Sequence, residues 1–216
     1  MSLRLLTPAG ISVSERSAGE DEVNLHPAER ALVAGSPAAR RRSFATARAC
    51  AHDALARLGA QPGPLLAGAG GEPLWPAGFT GSLTHTRDYH AAAVARSADA
   101  RAIGIDAEPH APLPPGVLDA VALPAERAML ARLAEEAPGV HWDRLLFCAK
   151  ECIYKAWYPI AGRWLDFHDA SVELDPGAGT FAARLHVPAP AALDGLAGRW
   201  LTSGGLLVAA LVVTGR

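Results

Sequence analysis

Apolar and polar positions divide this chain into stretches of helical period and stretches of strand period. From about His141 to Tyr158, Trp142, Leu145, Leu146, Ala149, Ile153 and Ala156 recur every three or four residues and make one apolar stripe. Phe147, Glu151, Tyr154, Lys155 and Tyr158 fall together on another face of the same helix. A second helix is predicted from Ser36 or Pro37 to Leu58, closed by Gly59. A third runs from Pro124, at a first-turn position, to Glu136, and is closed by Pro138-Gly139. Short apolar runs bounded by Gly, Pro or Asp predict strands at 81–84, 90–96, 102–108, 171–174, 181–187, 199–202 and 206–213. Gly204-Gly205 predicts a hairpin between the last two. The order of helix followed by strands occurs twice, split near residue 104, which suggests an internal structural duplication. Residues 60–79, rich in Gly and Pro, and residues 109–123, with four prolines, read as irregular connections.

The strand at 102–108 carries the first chemistry. Ile103, Ile105 and Ala107 alternate with Gly104, Asp106 and Glu108, so one face is apolar and the other holds two carboxylates. The long helix offers a third acid, Glu151, between Lys150 and Lys155. Taken singly, the acids fit a solvated strand end, and Glu151 with Lys155 fits an ordinary i,i+4 pair. Together they are more informative. Two like charges about 4 Å apart repel by about 4 kcal/mol at an effective dielectric near 20, so three clustered acids call for a cation. Three carboxylates with two lysines suit a hard divalent ion and a polyphosphate. Arg40, Arg41 and Arg42 precede Arg48 by about two turns, and guanidinium pairs suit a terminal phosphate.

Composition narrows the setting. Half of the 216 residues are hydrophobic, ample for a core, and a formal net charge of -2 provides no global field toward nucleic acid or an anionic membrane. Any phosphate must be held by local arrangement. Cys50, Cys148 and Cys152 form no disulfide framework, which points to a reduced, cytoplasmic setting. Leu206–Val213 is too short an apolar run to span a bilayer, so a soluble protein is expected.

Two blocks now carry a resemblance. Gly104-Ile105-Asp106-Ala107-Glu108 is followed, 43 positions from Glu108 to Glu151, by Phe147-Cys148-Ala149-Lys150-Glu151-Cys152-Ile153-Tyr154-Lys155. The chain resembles a 4'-phosphopantetheinyl transferase of the larger, Sfp and EntD type, and most closely the actinobacterial PptT-like enzymes. Arg40-Arg41-Arg42-Ser43-Phe44, Glu72-Pro73-Leu74-Trp75-Pro76, Gly81-Ser82-Leu83-Thr84-His85, Pro109-His110 and His141-Trp142-Asp143-Arg144 extend the likeness over roughly residues 25–216.

The resemblance implies an α+β fold of two similar halves related by pseudo-twofold symmetry, residues 1–104 and 105–216, with the active site in the cleft between them. It implies transfer of 4'-phosphopantetheine from coenzyme A to a serine of an acyl or peptidyl carrier protein, in a protein expected to be monomeric. Mg2+, or Mn2+ in its place, would be held by Asp106, Glu108 and Glu151. Arg40, Arg48 and His85 would hold the 3'-phosphate, with helical geometry equally allowing Arg41 in place of Arg40. Thr84, Lys150 and Lys155 would address the pyrophosphate and the transferring phosphoryl. Glu151, as base or ligand, and Lys155 would be catalytic. Leu113–Leu118, with Arg127 and Arg132, is the candidate carrier surface. One departure stands out: relatives carry a basic residue just before the Glu-Pro-x-Trp-Pro block, where this chain has Gly70-Gly71. A metal-dependent hydrolase of a nucleotide or phosphate ester would use the same acids and lysines, and a carrier-binding module without catalysis is a third reading.

Overall fold

A computed structural model describes residues 3–17 and 25–215. In chain order it contains β1 (Ser12–Ser17), α1 (Pro27–Leu32), α2 (Ala38–Arg57), β2 (Leu66–Ala67), β3 (Pro73–Leu74), β4 (Phe79–Thr86) and β5 (Tyr89–Arg96). There follow β6 (Ala102–Pro109), α3 (Val117–Val121), α4 (Pro124–Glu136), α5 (Trp142–Ala161), β7 (Ala170–Asp175), β8 (Thr180–Leu185), β9 (Ala197–Ser203) and β10 (Leu206–Val213). Each predicted helix and strand is present, most within a few residues of its expected limits. α5 runs on through Pro159 to a left-handed cap at Gly162, and β8 stops two residues short at Leu185.

The fold is α+β in two halves. An antiparallel sheet in the order β1-β5-β4 packs against α2, and a five-stranded antiparallel sheet in the order β6-β10-β9-β8-β7 packs against α5. Because β6 pairs along its whole length with β10, we place the division between halves in the turn at residues 97–101, a few residues ahead of 104/105. The hairpin β9–β10 turns on Gly204 and Gly205, both at positive φ (58° and 77°), as a tight two-residue hairpin requires.

The two sheets meet where β4 runs beside β6. No backbone ladder joins them there; two hydroxyls do. Ser82 Oγ accepts the Ile105 amide at 3.1 Å and Thr84 Oγ1 accepts the Ala107 amide at 3.0 Å. Edge amides of β6 that would otherwise be orphaned are thereby satisfied. On one face of β6, Ile103, Ile105 and Ala107 enter a core with Ala91, Ala93, Ala95, Val208 and Ala210. On the other face α5 lies directly on the strand. A Cβ at Gly104 would sit 1.8 Å from the Cys152 carbonyl oxygen, so only glycine permits this approach. Trp142, Leu145, Leu146, Ala149, Ile153 and Ala156 are all buried in the core between α5 and the larger sheet, as their stripe predicts.

Candidate active site

Close packing of α5 on β6 sets the acids beside Glu151 and Lys155. Lys155 Nζ donates to Asp106 Oδ1 at 2.8 Å and to the Ile105 carbonyl at 3.0 Å. Thr84 Oγ1 donates to the same Oδ1 at 3.1 Å. Burial alone would depress the Lys155 pKa, but the charge and hydrogen bond of Asp106 overcome it and hold it above the ordinary value. Two of three ammonium protons are used, and the side chain still lines the cleft. Glu108 is held from outside by Arg144, whose Nη1 reaches Oε2 at 2.9 Å and whose other nitrogens donate to the Ala111 and Pro112 carbonyls. Its pKa is nonetheless raised, by burial and by Asp106, against the pull of Arg144 and Lys155. Glu151 makes no ion pair or hydrogen bond among the described residues. Burial raises its pKa, Lys155 opposes, and the charges of Asp106 and Glu108 raise it further.

This is an oxygen-only donor set with excess negative charge. Asp106, 5 % exposed, keeps its Oδ2 buried and, among the described residues, without a hydrogen-bond partner. An unsatisfied carboxylate oxygen beside two strained acids fits a hard divalent cation in chemistry. Among the described residues, however, no three His, Cys, Asp or Glu side chains are gathered closely enough to hold a metal ion as they stand.

Beside the acids opens a cleft of about 320 Å³ between the halves. α2 and β4 supply Arg40, Arg48 and His85 to it, and α5 supplies Lys155 and Tyr158. Arg40 Nη1 and His85 Nε2 stand 3.3 Å apart. Arg48, 5 % exposed, stacks its guanidinium 4.5 Å from the centre of the Phe44 ring and leaves Nε buried without a hydrogen-bond partner among the described residues. Burial, Arg40 and Lys155 depress the His85 pKa, with Asp106 opposing. Two arginines and an imidazole face one space, with no carboxylate bonded to either guanidinium among the described residues, an arrangement whose chemistry suits a phosphate dianion.

Comparison with known proteins bears on this geometry. Residues 28–95 match the model of the 4'-phosphopantetheinyl transferase N-terminal domain, and residues 102–199 match that of the 4'-phosphopantetheinyl transferase superfamily. The chain is 55 % identical to 4'-phosphopantetheinyl transferase Svp of Streptomyces mobaraensis over 91 % of its own length and 82 % of that protein's. It is 45 % identical to 4'-phosphopantetheinyl transferase Npt of Nocardia iowensis, over 97 % and 98 % of the two chains. With 4'-phosphopantetheinyl transferase PptT of Mycobacterium tuberculosis the identity is 47 %, over 87 % and 85 %. The chain is a member of the 4'-phosphopantetheinyl transferase family.

Within this phosphopantetheinyl transferase, three residues expected in the phosphate site lie elsewhere in their bonding. Arg41 turns away from the cleft and donates to the Ser36 carbonyl at 2.6 Å, so Arg40 is the member of the pair that faces His85. Lys150 is 3 % exposed; its ammonium pairs with Glu126 Oε2 at 2.8 Å and donates to the carbonyls of Val121, Phe167 and Ala170. With every proton committed inside the protein, Lys150 is a buried strut rather than a phosphate ligand. Thr84, 2 % exposed, spends its hydroxyl proton on Asp106 and accepts from β6, so it orients the acid instead of donating to a pyrophosphate. On the candidate carrier surface, Arg127 pairs with Asp119 at 2.7 Å and Arg132 with Glu136 at 3.0 Å, which leaves little net positive charge there.

Other residues of the site were missed. Arg144 carries a signal, since it lies two turns before Glu151 on the same helix, but its pairing with Glu108 is a long-range fact. The helical period places Tyr154 and Tyr158 on the face of Glu151 and Lys155 but gives them no role. Tyr154 lines both the main cleft and a smaller pocket of about 210 Å³ beside Glu151, whose walls include Ile153, Trp164, Leu165 and Phe167. Trp164, 69 % exposed, sits at its rim with its ring 4.9 Å from that of Tyr154. The cysteines are all buried as free thiols, and burial with the Cys152 hydrogen bond pushes the Cys148 pKa well up, so none is a candidate nucleophile.

Proposed function

We propose that this chain binds coenzyme A across the cleft and transfers its 4'-phosphopantetheine to a serine of an apo acyl or peptidyl carrier protein, in a Mg2+-dependent reaction. The observation that carries the reading is the cleft itself, with a cation-rich anion site at one end and an over-charged carboxylate group at the other. Arg40, Arg48 and His85 hold the 3'-phosphate. A phosphate dianion there opposes the depression of the His85 pKa, which burial causes first, because its charge offsets that of Arg40 and Lys155. Asp106, Glu108 and Glu151 are the residues that would hold Mg2+, which when bound supplies charge neutralisation at the pyrophosphate.

Lys155 is oriented by Asp106 and Ile105 so that its remaining proton faces the pyrophosphate. Arg144 fixes Glu108, and Thr84 fixes Asp106. The pantetheine arm passes Tyr154 into the smaller pocket, whose apolar walls suit it. The serine Oγ attacks the β-phosphorus, the bond from that phosphorus to the bridging oxygen breaks, and adenosine 3',5'-bisphosphate leaves. Glu151 receives the serine proton. Its carboxylate lies where β6 and α5 meet and has no ion-pair or hydrogen-bond partner to displace among the described residues.

Release of adenosine 3',5'-bisphosphate is followed with coenzyme A and Mg2+, with and without an apo carrier protein. Release only with carrier is expected. Equal release without it would replace this reading with the hydrolase.

A further inference from the structure

Gly70 and Gly71 are glycine for different reasons. Gly71 has φ +83° and open space around it, so its backbone requires glycine. Gly70 has no positive φ. What excludes a side chain there is Tyr158 of α5: a Cβ at position 70 would lie 2.5 Å from the tyrosine Oη and 3.1 Å from Glu72 Oε2. The 68–76 connection of the first half and α5 of the second therefore close on each other at this point. Glu72 is occupied with the Gly70 amide at 2.9 Å. Tyr158 is not occupied. Its hydroxyl makes no hydrogen bond among the described residues, although the ring lines the cleft one helical turn from Lys155 and on the same face.

An unpartnered phenol at the wall of a phosphate cleft is a donor in waiting. Resting on the coenzyme A reading above, we infer that the Tyr158 hydroxyl donates to the pyrophosphate of bound coenzyme A, and that Gly70 is glycine in order to admit it. The tyrosine thus stands where the 68–76 connection offers no cation, and supplies a neutral donor in its place. A neutral donor differs from a cation in one measurable respect, since it contributes little to the salt dependence of binding.

The test is calorimetric titration of the whole protein, in the presence of Mg2+, with coenzyme A and separately with adenosine 3'-monophosphate, which lacks the pyrophosphate. Tyr158→Phe is expected to weaken coenzyme A about tenfold, the loss of one hydrogen bond to a charged group, and to leave adenosine 3'-monophosphate unchanged. Its melting temperature should match the wild type, because the hydroxyl has no protein partner to lose. Gly70→Lys alone should bind coenzyme A no more tightly than wild type, since the new side chain meets Tyr158. The double variant Gly70→Lys, Tyr158→Phe should recover affinity and lose it more steeply with added salt. Unchanged coenzyme A binding by Tyr158→Phe would overturn this inference alone. So would equal weakening of both ligands, or a gain from Gly70→Lys that is independent of residue 158. Failure of the wild type to bind coenzyme A would instead overturn the reading on which it rests, and this inference with it.

Discussion

Asp106→Asn and Glu151→Gln each remove one negative charge from the same acidic cluster, yet the structure assigns them opposite effects on stability. Asp106 is the counter-ion of Lys155 at 2.8 Å, accepts from Thr84, and is almost fully buried. Neutralising it leaves the ammonium without its partner. A fully buried broken pair costs about 3–5 kcal/mol; Lys155 is one quarter exposed and the amide keeps an acceptor oxygen, so the expected loss is about 1.5–3 kcal/mol. Glu151 has no ion pair to lose among the described residues, and burial, with the charges of Asp106 and Glu108, outweighs the attraction of Lys155, so its neutralisation should stabilise the metal-free protein by about 0.5–1 kcal/mol. Because the folded-state pKa of Glu151 is raised, the wild-type carboxylate destabilises the fold when ionised. That cost is full above the raised pKa, diminishes as pH falls through it, and vanishes below the unfolded value near 4.5. The gain from Glu151→Gln should therefore be present at pH 7 and absent near pH 4. Urea unfolding of both variants at low salt without divalent ions measures it. Destabilisation by Glu151→Gln at pH 7, or stabilisation by Asp106→Asn, would overturn these assignments.

Three further outcomes follow from the geometry. Arg40→Ala should weaken coenzyme A by at least tenfold and Arg41→Ala by less than twofold, read by calorimetry; with dephospho-coenzyme A, which lacks the 3'-phosphate, the difference should disappear. Gly104→Ala drives a methyl into the Cys152 carbonyl at 1.8 Å, so it should lift α5 from β6, cost more than about 3 kcal/mol in urea unfolding, and abolish transfer in any fraction that folds. Lys150→Met leaves Glu126, 2 % exposed, without its cation and should cost about 3–5 kcal/mol in thermal or urea unfolding, while coenzyme A affinity of the folded fraction stays within twofold.

What the sequence reveals of this site is what local period can carry. Alternation along 102–108 places Asp106 and Glu108 on one face, and the three-four spacing of α5 places Glu151 and Lys155 where that face meets the helix. Period cannot separate Arg40 from Arg41, because neighbours differ by only about 100° around α2 and either can reach a ligand at its edge. Lys150 was misjudged because its charge outweighed its position. It lies four residues after Leu146 and three before Ile153, on the buried stripe, and its partner Glu126 belongs to a different helix. β1, read from Ser12 to Ser17, was overlooked since Val13 is its one apolar residue. Nothing local announces that such a segment pairs with β5. Thr84 illustrates the same limit: a hydroxyl in the right block was assigned to a ligand, whereas the meeting of two sheets gives it to Asp106 and Ala107.

The intact mass of an apo carrier protein, after incubation with this protein, coenzyme A and Mg2+, reads the proposed transfer itself. The wild-type carrier should gain one phosphopantetheine group, with no gain when the acceptor serine is alanine and none when Glu151→Gln replaces the wild-type enzyme. An unmodified carrier with the wild-type enzyme, or full modification by Glu151→Gln at the wild-type rate, would contradict it.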